Sequence, residues 1–226
     1  MANFDLTQSR YNSITLRSIL IGLFWVILLV SIVPYNDFYL GGAFLAGNHF
    51  PIGPVFILLI LVLLVNAVLL RIKPIWALSD AEITTVWCMM LGASGLSSTG
   101  VMRYLTPKLI IPYYFATPEN AWADLFYQHI PDWLVVKDKS AITHFYEGLP
   151  SGETVPWRLW LTPLFSWISI FFLLYVMMAC ISNVLRKQWV EKERYVFPLV
   201  QLSVDMVRSP ETGRLWNAFM RNRKMW

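Results

Sequence analysis

The chain has 226 residues, of which 57% are hydrophobic, 15% aromatic and only 14% charged. Its mean hydropathy of +0.52 is too high for a water-soluble domain of this length, so the composition predicts a membrane protein. The formal net charge of +4 does not indicate nucleic-acid binding, because no basic stripe on a soluble face accompanies it.

Four apolar runs without charges deep inside them predict transmembrane helices. An apolar layer of about 30 Å needs roughly 17 to 25 helical residues, and lipid offers the backbone no hydrogen-bond partner. The runs cover residues 16–33, 55–70, 83 to about 105, and 157–185. The second is slightly short unless its flanking residues are added. The sequence therefore predicts an all-α integral membrane protein with about four transmembrane helices.

The distribution of basic residues predicts that both termini are cytoplasmic (N-in/C-in), because cytoplasmic segments collect Lys and Arg. The first connection, residues 34–53, contains neither residue, whereas the tail 186–226 is strongly basic. Basic residues also lie at Arg10, Arg17, Arg71 and Lys73. Residues 34–53 and 106–156 should then face outward from a prokaryotic inner (cytoplasmic) membrane. A secretory signal peptide is a poorer interpretation of the first run, which is long and lacks a nearby small-x-small cleavage site.

The first part of the chain, residues 1–105, should hold three helices and a Gly-rich outer loop over 34–53. Breakers such as Gly47 and Pro51 in this loop exclude a regular helix and favour a tight, ordered loop. Asn48 and His49 lie within it and are candidate polar groups at the outer surface.

The third run has the clearest helix start in the sequence and a distinctive second half. Ser79 and Glu82 form a capping box. Residues 92–100 are then almost all small, which has two main interpretations. Small-xxx-small spacing packs helices closely in lipid. Alternatively the helix is interrupted, and its hydroxyls and freed backbone groups line a polar cavity, as in carriers with broken helices. A phosphate-binding loop is a weaker third interpretation, because no Gly-Lys-Ser/Thr ending follows.

Single polar residues near the runs have ordinary explanations as well as functional ones. Arg103 is expected to snorkel to the outer interface or to anchor an anionic group. Asn66 should bond to a neighbouring helix or a backbone carbonyl. Cys88 and Cys180 are interpreted as small buried hydrophobes at similar depth. The three histidines fit no metal-ligand spacing, so neither a metal nor a cofactor is expected.

The outer segment 106–156 is predicted to be a small aromatic-rich cap with short helices. One helix should start at Thr117, with Pro118 in its first turn, and a second should run from Lys139 to Tyr146 and stop at Gly148. The aromatic residues of the expected belt are Tyr113, Tyr114, Trp122, Trp133, Trp157 and Trp160. The cap should lie flat on the outer face.

After the fourth run, the tail 186–226 is predicted to be interfacial. Its apolar stretch, residues 195–207, is too short to span and contains Pro198, so it should lie in the interface or pack under the bundle with Asp205 facing water. The basic cluster that ends in Trp226 resembles the lead into another membrane helix. The sequence is thus interpreted as a possible front part of a longer protein.

Six short segments resemble a known group of membrane proteins. They are Ala46-Gly47-Asn48-His49-Phe50-Pro51, Thr99-Gly100-x-x-Arg103-Tyr104-Leu105, Tyr114-Phe115-Ala116-Thr117-Pro118-Glu119-Asn120-x-Trp122, Pro131-Asp132-Trp133-Leu134, Phe145-Tyr146-Glu147-Gly148 and Trp189-x-Glu191-x-Glu193-Arg194-x-x-Phe197-Pro198-Leu199. From about Arg17 onward the chain resembles the N-terminal region of large prokaryotic polytopic proteins known as domains of unknown function. That group is similar to oligopeptide-transporter-like carriers. The resemblance implies further spans in its members and supplies no catalytic residue.

Two functions from different classes remain open. The first is a solute-carrier-like multi-pass protein, or the N-terminal part of one, with an unknown substrate. Its candidate binding residues are Ser94, Ser97, Ser98 and Thr99 for hydroxyl and backbone contacts, Arg103 for an anionic group, and Asn48 with His49 as an outer gate. The second is a non-catalytic structural or accessory subunit of a larger membrane complex. An enzyme is not expected, because the serines have no base at comparable depth.

The expected partners follow from the same interpretation. They are the lipid bilayer and either other membrane subunits or further copies of the chain. Nucleic acid is not expected to bind.

Overall fold

The computed structural model describes residues 14–46, 51–97, 100–195, 197–210 and 213–223. Throughout these ranges the regular structure is helical, without strands. The chain forms two compact units. The first combines Met1–Met102 with Phe197–Trp226, and the second is Arg103–Val196.

Three helices of the described chain are long and apolar enough to cross a membrane. They are α1, Leu16–Leu40; α2, Ile52–Ile72; and α8, Trp157–Lys192. They correspond to the first, second and fourth predicted runs, and each is longer than its run. These three helices indicate a membrane protein.

Helix α1 continues past the residue where the outer loop was predicted to begin. Its α-helical part, Leu16–Pro34, is followed by a π-helical turn over Tyr35–Leu40, and Gly41 ends the helix with a left-handed φ of 64°. Proline lacks only its own N–H donor, so the helix can continue past Pro34 with the wider hydrogen-bond spacing of a π-helix. The prediction of a loop from residue 34 was therefore wrong, and the loop begins at Gly41.

The third run forms two helices instead of the single helix predicted to about Leu105. Helix α3 is Asp80–Ser97 and α4 is Met102–Lys108, with a turn at residues 100–101. A Cβ atom at Gly100 would overlap the backbone oxygen of Gly95, so the chain passes so close to its own helix that only glycine fits. In the described residues, one helix of this run therefore ends at Ser97 and the next begins at Met102.

Helices α1 and α3 lie side by side and run parallel. Thr15 and Glu82, which are 67 residues apart, bond at one end. Gly22 and Met89 are also 67 residues apart in the sequence and lie close together seven residues further along each helix. A Cβ atom on Gly22 would overlap the Met89 sulfur. The core beside this pair contains buried side chains from α1, α2 and α3, among them Leu29, Val33, Leu58, Leu61, Val86 and Met90.

Helix α2 contains a π-helical turn, Leu61–Asn66, between α-helical parts Ile52–Ile60 and Ala67–Ile72. The Asn66 side chain accepts the N–H of Leu78 at 2.7 Å and donates to the Leu78 carbonyl at 3.4 Å. The expected bond between Asn66 and a backbone carbonyl is thus present, and it closes the connection from α2 to α3.

From Phe197 onward the tail belongs to the first unit and packs on its helices. Helix α9, Pro198–Val207, carries Pro198 at its first position, and Met206, Val207 and Met220 belong to the core. The indole N–H of Trp216 donates to the Leu63 carbonyl in the π turn of α2 at 3.1 Å. The tail therefore covers the middle of α2.

In the second unit, one predicted short helix is present and the other starts late. Helix α7, Lys139–Glu147, has nearly the predicted bounds and ends before Gly148, whose φ is 97°. The helix predicted from Thr117 was wrong. Thr117 and Asn120 exchange side-chain and backbone hydrogen bonds in a turn, and α6, Trp122–Phe126, begins only after Ala121 with a φ of 50°.

This unit also contains most of α4, the short α5, Ile111–Tyr114, and the long α8. The apolar window of α8 has no buried residue, in contrast to those of α1 and α2. The first half of α8 is held by a hydrogen bond, because the Trp167 indole donates to the Leu134 carbonyl at 3.0 Å.

Candidate functional site

The structure brings two of the predicted site residues together on one face of α3. Ser94 and Ser97 are 5% and 3% exposed. The Ser94 hydroxyl donates to the Leu91 carbonyl at 2.8 Å, and the Ser97 hydroxyl donates to the Ser94 carbonyl at 3.3 Å. Both donors are therefore used within the helix, and what the hydroxyls can still offer a solute is acceptor capacity.

Five further residues belong to the predicted site. Arg103 is an exposed residue of α4 and belongs to the second unit. The remaining four, Asn48, His49, Ser98 and Thr99, lie outside the described residues.

The end of α3 has a defined chemical character. A helix C-terminus leaves carbonyl groups without intrahelical partners and carries a partial negative charge. The buried serine oxygens add acceptors on the same helix. This arrangement suits a ligand with hydrogen-bond donors or a cationic group better than a bare anion.

A second polar cluster lies at the other end of α3. The sequence predicted its capping box but not its bond to α1. Glu82 is 6% exposed, and its carboxylate accepts the Thr15 hydroxyl at 2.6 Å and the Ser79 N–H at 3.0 Å. Ser79 in turn accepts the Glu82 N–H at 3.3 Å, which completes the predicted capping box. The carboxylate thus lies at the positive ends of two helix dipoles, where a negative charge is stabilised.

Two local signals pointed to the role of α1 in this cluster. Thr15 and Ser18 form a capping box of their own at the start of the helix. Ser18 and Gly22 form a small-xxx-small pair, and both are buried. The small residues that set the closest approach to α3 therefore lie on α1, whereas the sequence interpretation sought them on the third run.

In the second unit, aromatic residues contact one another, and Tyr113 lies beside the ion pair of Lys137 with Asp132. Tyr114 stacks on Tyr146 at 4.2 Å between ring centroids, and Tyr113 lies 4.4 Å from Tyr127. Burial raises the pKa of Tyr113, with Lys137 acting in the opposite direction. The hydrogen bond to Asp132 raises the pKa of Lys137 and keeps it charged.

The described residues offer no group of three or more His, Cys, Asp and Glu side chains that could hold a metal ion. Cys88 and Cys180 are free and exposed, which corrects their interpretation as buried hydrophobes. The described His, Cys, Asp and Glu residues therefore do not define a metal site, and the two cysteines do not define a site either.

Comparison with known proteins gives a family match without an assigned activity. A model described as a family of unknown function (DUF6785) matches residues 8–226. No curated protein and no solved structure matched the chain.

Proposed function

Since the chain belongs to this family of unknown function, we propose from its own residues that it is a solute-carrier-like multi-pass membrane protein, or the N-terminal part of one. The observation that carries the proposal is the interruption between α3 and α4. A break inside an apolar run frees backbone groups at membrane depth, which lipid does not tolerate unless they line a cavity or are buried in protein.

The proposal includes a fourth span, formed by α3 with α4, and an N-in/C-in topology in a prokaryotic inner membrane. The parallel packing of α1 and α3 supports it, because the first and third spans of a chain run in the same direction. The Ser209 hydroxyl donates to the carboxylate of Asp80 in the first turn of α3. The tail thus reaches the end of the first unit where α1 begins, as the topology requires. Residues 106–156 would form the outer aromatic cap.

In this proposal, the site is the break together with the last turn of α3. Ser94 and Ser97 would contribute hydroxyl oxygens, and Ser98 and Thr99 would contribute hydroxyl and backbone groups. Arg103 would hold an anionic group of the solute, and Asn48 with His49 would form an outer gate. The carbonyl end of α3 favours a solute that also carries hydrogen-bond donors, such as the ammonium group of a peptide.

One observation favours a second candidate function. The apolar window of α8 has no buried residue, so within the described chain this helix offers a continuous surface for neighbouring membrane helices. A non-catalytic subunit of a larger complex would use such a surface for docking. The mass of the gently solubilised assembly separates the two candidates. Unrelated polypeptides in stoichiometric amounts would favour the subunit.

The carrier proposal is tested by uptake of a panel of radiolabelled di- and tripeptides into proteoliposomes. Gly100→Ala should abolish uptake, because the added Cβ cannot avoid the Gly95 carbonyl. Gly92→Ala, in the same run but with open space around its Cα, is the matched control and should retain uptake. Membrane insertion should be equal for both variants. Uptake by Gly100→Ala at the control level would contradict the role of the break.

A further inference from the structure

In the connection between α2 and α3, Trp76 contacts two cationic side chains, one from α1 and one from the connection itself. The Arg17 guanidinium donates to the backbone carbonyl of Trp76, and the Lys73 ammonium lies 4.8 Å from the centroid of its ring. Trp76 itself is held in a 3-10 turn, Pro74–Trp76, by the bond from its N–H to the Lys73 carbonyl at 2.9 Å. Arg71, in the last turn of α2, adds a third cation nearby in sequence.

This turn lies at the end of the helices, where an apolar layer would stop. The bond from Thr15 to Glu82 and the bonds from Asn66 to Leu78 bring the start of α1, the last part of α2 and the start of α3 to one end of the first unit. A membrane that surrounds these helices therefore has its headgroup layer near Trp76.

The positive charge of the turn is not neutralised within the described part of the chain. Arg17, Arg71 and Lys73 form no ion pair there, and the partner of Arg17 is a neutral carbonyl. The nearest acids in sequence are already engaged. Asp80 accepts the Ser209 hydroxyl, and Glu82 is buried against Thr15 and Ser79. A guanidinium that bonds to one carbonyl keeps further N–H donors for another acceptor.

The same turn exposes apolar side chains, and contact of these side chains with water is unfavourable. Ile72, Ile75 and Trp76 are 62%, 72% and 51% exposed. Exposed tryptophan and isoleucine beside unneutralised cations are typical of the boundary between headgroups and acyl chains. At this boundary, aromatic rings and basic side chains both make favourable contacts with the lipid. A soluble anion would satisfy the charges and leave this apolar surface in water.

We propose that Arg17 and Lys73, together with the Trp76 ring, form a binding site for the phosphate headgroup of an anionic phospholipid. The guanidinium and ammonium groups bind the phosphate oxygens, and Ile75 and Trp76 enter the acyl boundary. The site does not depend on whether the protein is a carrier or a subunit, because it requires only that the first unit is surrounded by a bilayer.

The test is a titration of the purified protein in neutral detergent, with the melting midpoint as readout. Phosphatidylglycerol should raise the midpoint of the wild type, whereas phosphatidylcholine and inorganic phosphate at equal concentration should not. Each juxtamembrane cation is worth about fivefold in affinity, so R17Q/K73Q should bind phosphatidylglycerol roughly 25-fold more weakly. K73Q alone, which keeps the Arg17 bond to Trp76, should lose about fivefold.

The matched control is K139Q/R158Q, which removes the same charge from two exposed positions of the second unit. It should bind phosphatidylglycerol with unchanged affinity. The proposal is overturned if both single and double variants bind like the wild type, or if the control loses as much affinity as R17Q/K73Q. Equal stabilisation by inorganic phosphate would also overturn it, since the ligand would then be a free anion.

Discussion

The Thr15 hydroxyl donates to the Glu82 carboxylate over 2.6 Å and so joins the first turn of α1 to the first turn of α3. The other carboxylate oxygen accepts the Ser79 N–H, so one buried side chain completes the cap of its own helix and fixes the start of another. The parallel register of the two helices follows from this bond and from the close approach of Gly22 to Met89.

Replacing Glu82 with alanine should destabilise the first unit by about 2–4 kcal/mol. The change removes a helix cap and leaves the Thr15 hydroxyl and the Ser79 N–H without their acceptor. Reversible denaturation in detergent, followed by circular dichroism, measures the loss. Glu191→Ala removes an exposed glutamate from α8 and serves as the control. Equal stability of the two variants would show that Glu82 does not link the helices.

Two glycines of the first unit should respond in opposite directions to added side chains. Gly22→Val should cost about 1–3 kcal/mol, because its side chain overlaps Met89 and separates α1 from α3. Gly92→Ala should gain about 0.5–1 kcal/mol, because nothing lies within 4 Å of the new Cβ and alanine favours the helix. The same denaturation experiment measures both.

A rescue variant separates crowding from a general effect of β-branching in α1. Met89→Ala removes the atoms that a valine at position 22 would meet. The double variant Gly22→Val/Met89→Ala should therefore recover part of the stability lost by Gly22→Val. A purely additive loss would argue against close packing at this point.

Features that depend on neighbouring residues could be predicted from the sequence. Three of the four predicted apolar runs form long helices in the described chain, and the capping box of Ser79 and Glu82 is a pattern of four consecutive residues. The bonds from Thr15 to Glu82 and from Trp216 to Leu63 join residues 67 and 153 positions apart. No local pattern identifies the partner across such a separation, so the contact of α1 with α3 and the docking of the tail on α2 could not be predicted from the sequence.

The sequence does not determine how the residues of the candidate site form hydrogen bonds. The spacing of Ser94 and Ser97 puts them on one helix face, where they lie. Serine hydroxyls can bond back to their own helix or outward to a ligand, and the sequence does not decide between these options. The break after α3 stayed one of two main interpretations, because small residues serve close packing and interruption alike. The clash that forces glycine at position 100 arises from the folded path of the chain.

The tail should detach more readily when its buried amide is removed than when its indole donor is. Asn217 is buried, and its side chain donates to the carbonyls of Asp205, Met206 and Arg208 at the end of α9 and accepts the Met220 N–H at 2.9 Å. Asn217→Ala should cost about 2–3 kcal/mol because these buried groups lose their partner. Limited proteolysis of the tail measures the effect as a faster cleavage rate.

Trp216→Phe provides the graded comparison, since it removes the hydrogen bond to the Leu63 carbonyl and the five-membered part of the indole but keeps a six-membered aromatic ring. Its cost should be about 1 kcal/mol, and cleavage should lie between the wild type and Asn217→Ala. If Trp216→Phe is cleaved faster than Asn217→Ala, then the docking of the tail depends mainly on the π turn of α2, and the order proposed for the two contacts is wrong.

Helix α7 should lose protection in acid through the titration of its cap. The Asp138 carboxylate accepts the Ser140 hydroxyl at 2.5 Å and the Ala141 N–H at 2.9 Å, and these bonds lower its pKa below the ordinary value of 3.8. A group with a depressed folded-state pKa stabilises the fold above its unfolded value, and the contribution disappears as pH falls through the folded value. Amide exchange of residues 141–147, corrected for intrinsic rates, should therefore show weaker protection at pH 3 than at pH 5.

Asp138→Asn keeps a good cap without a titratable group, so its protection should change less between these pH values. His144 and Glu153, 3.6 Å apart, are present in both proteins, so the difference between the two profiles isolates Asp138. Identical pH profiles would rule out this carboxylate as the source.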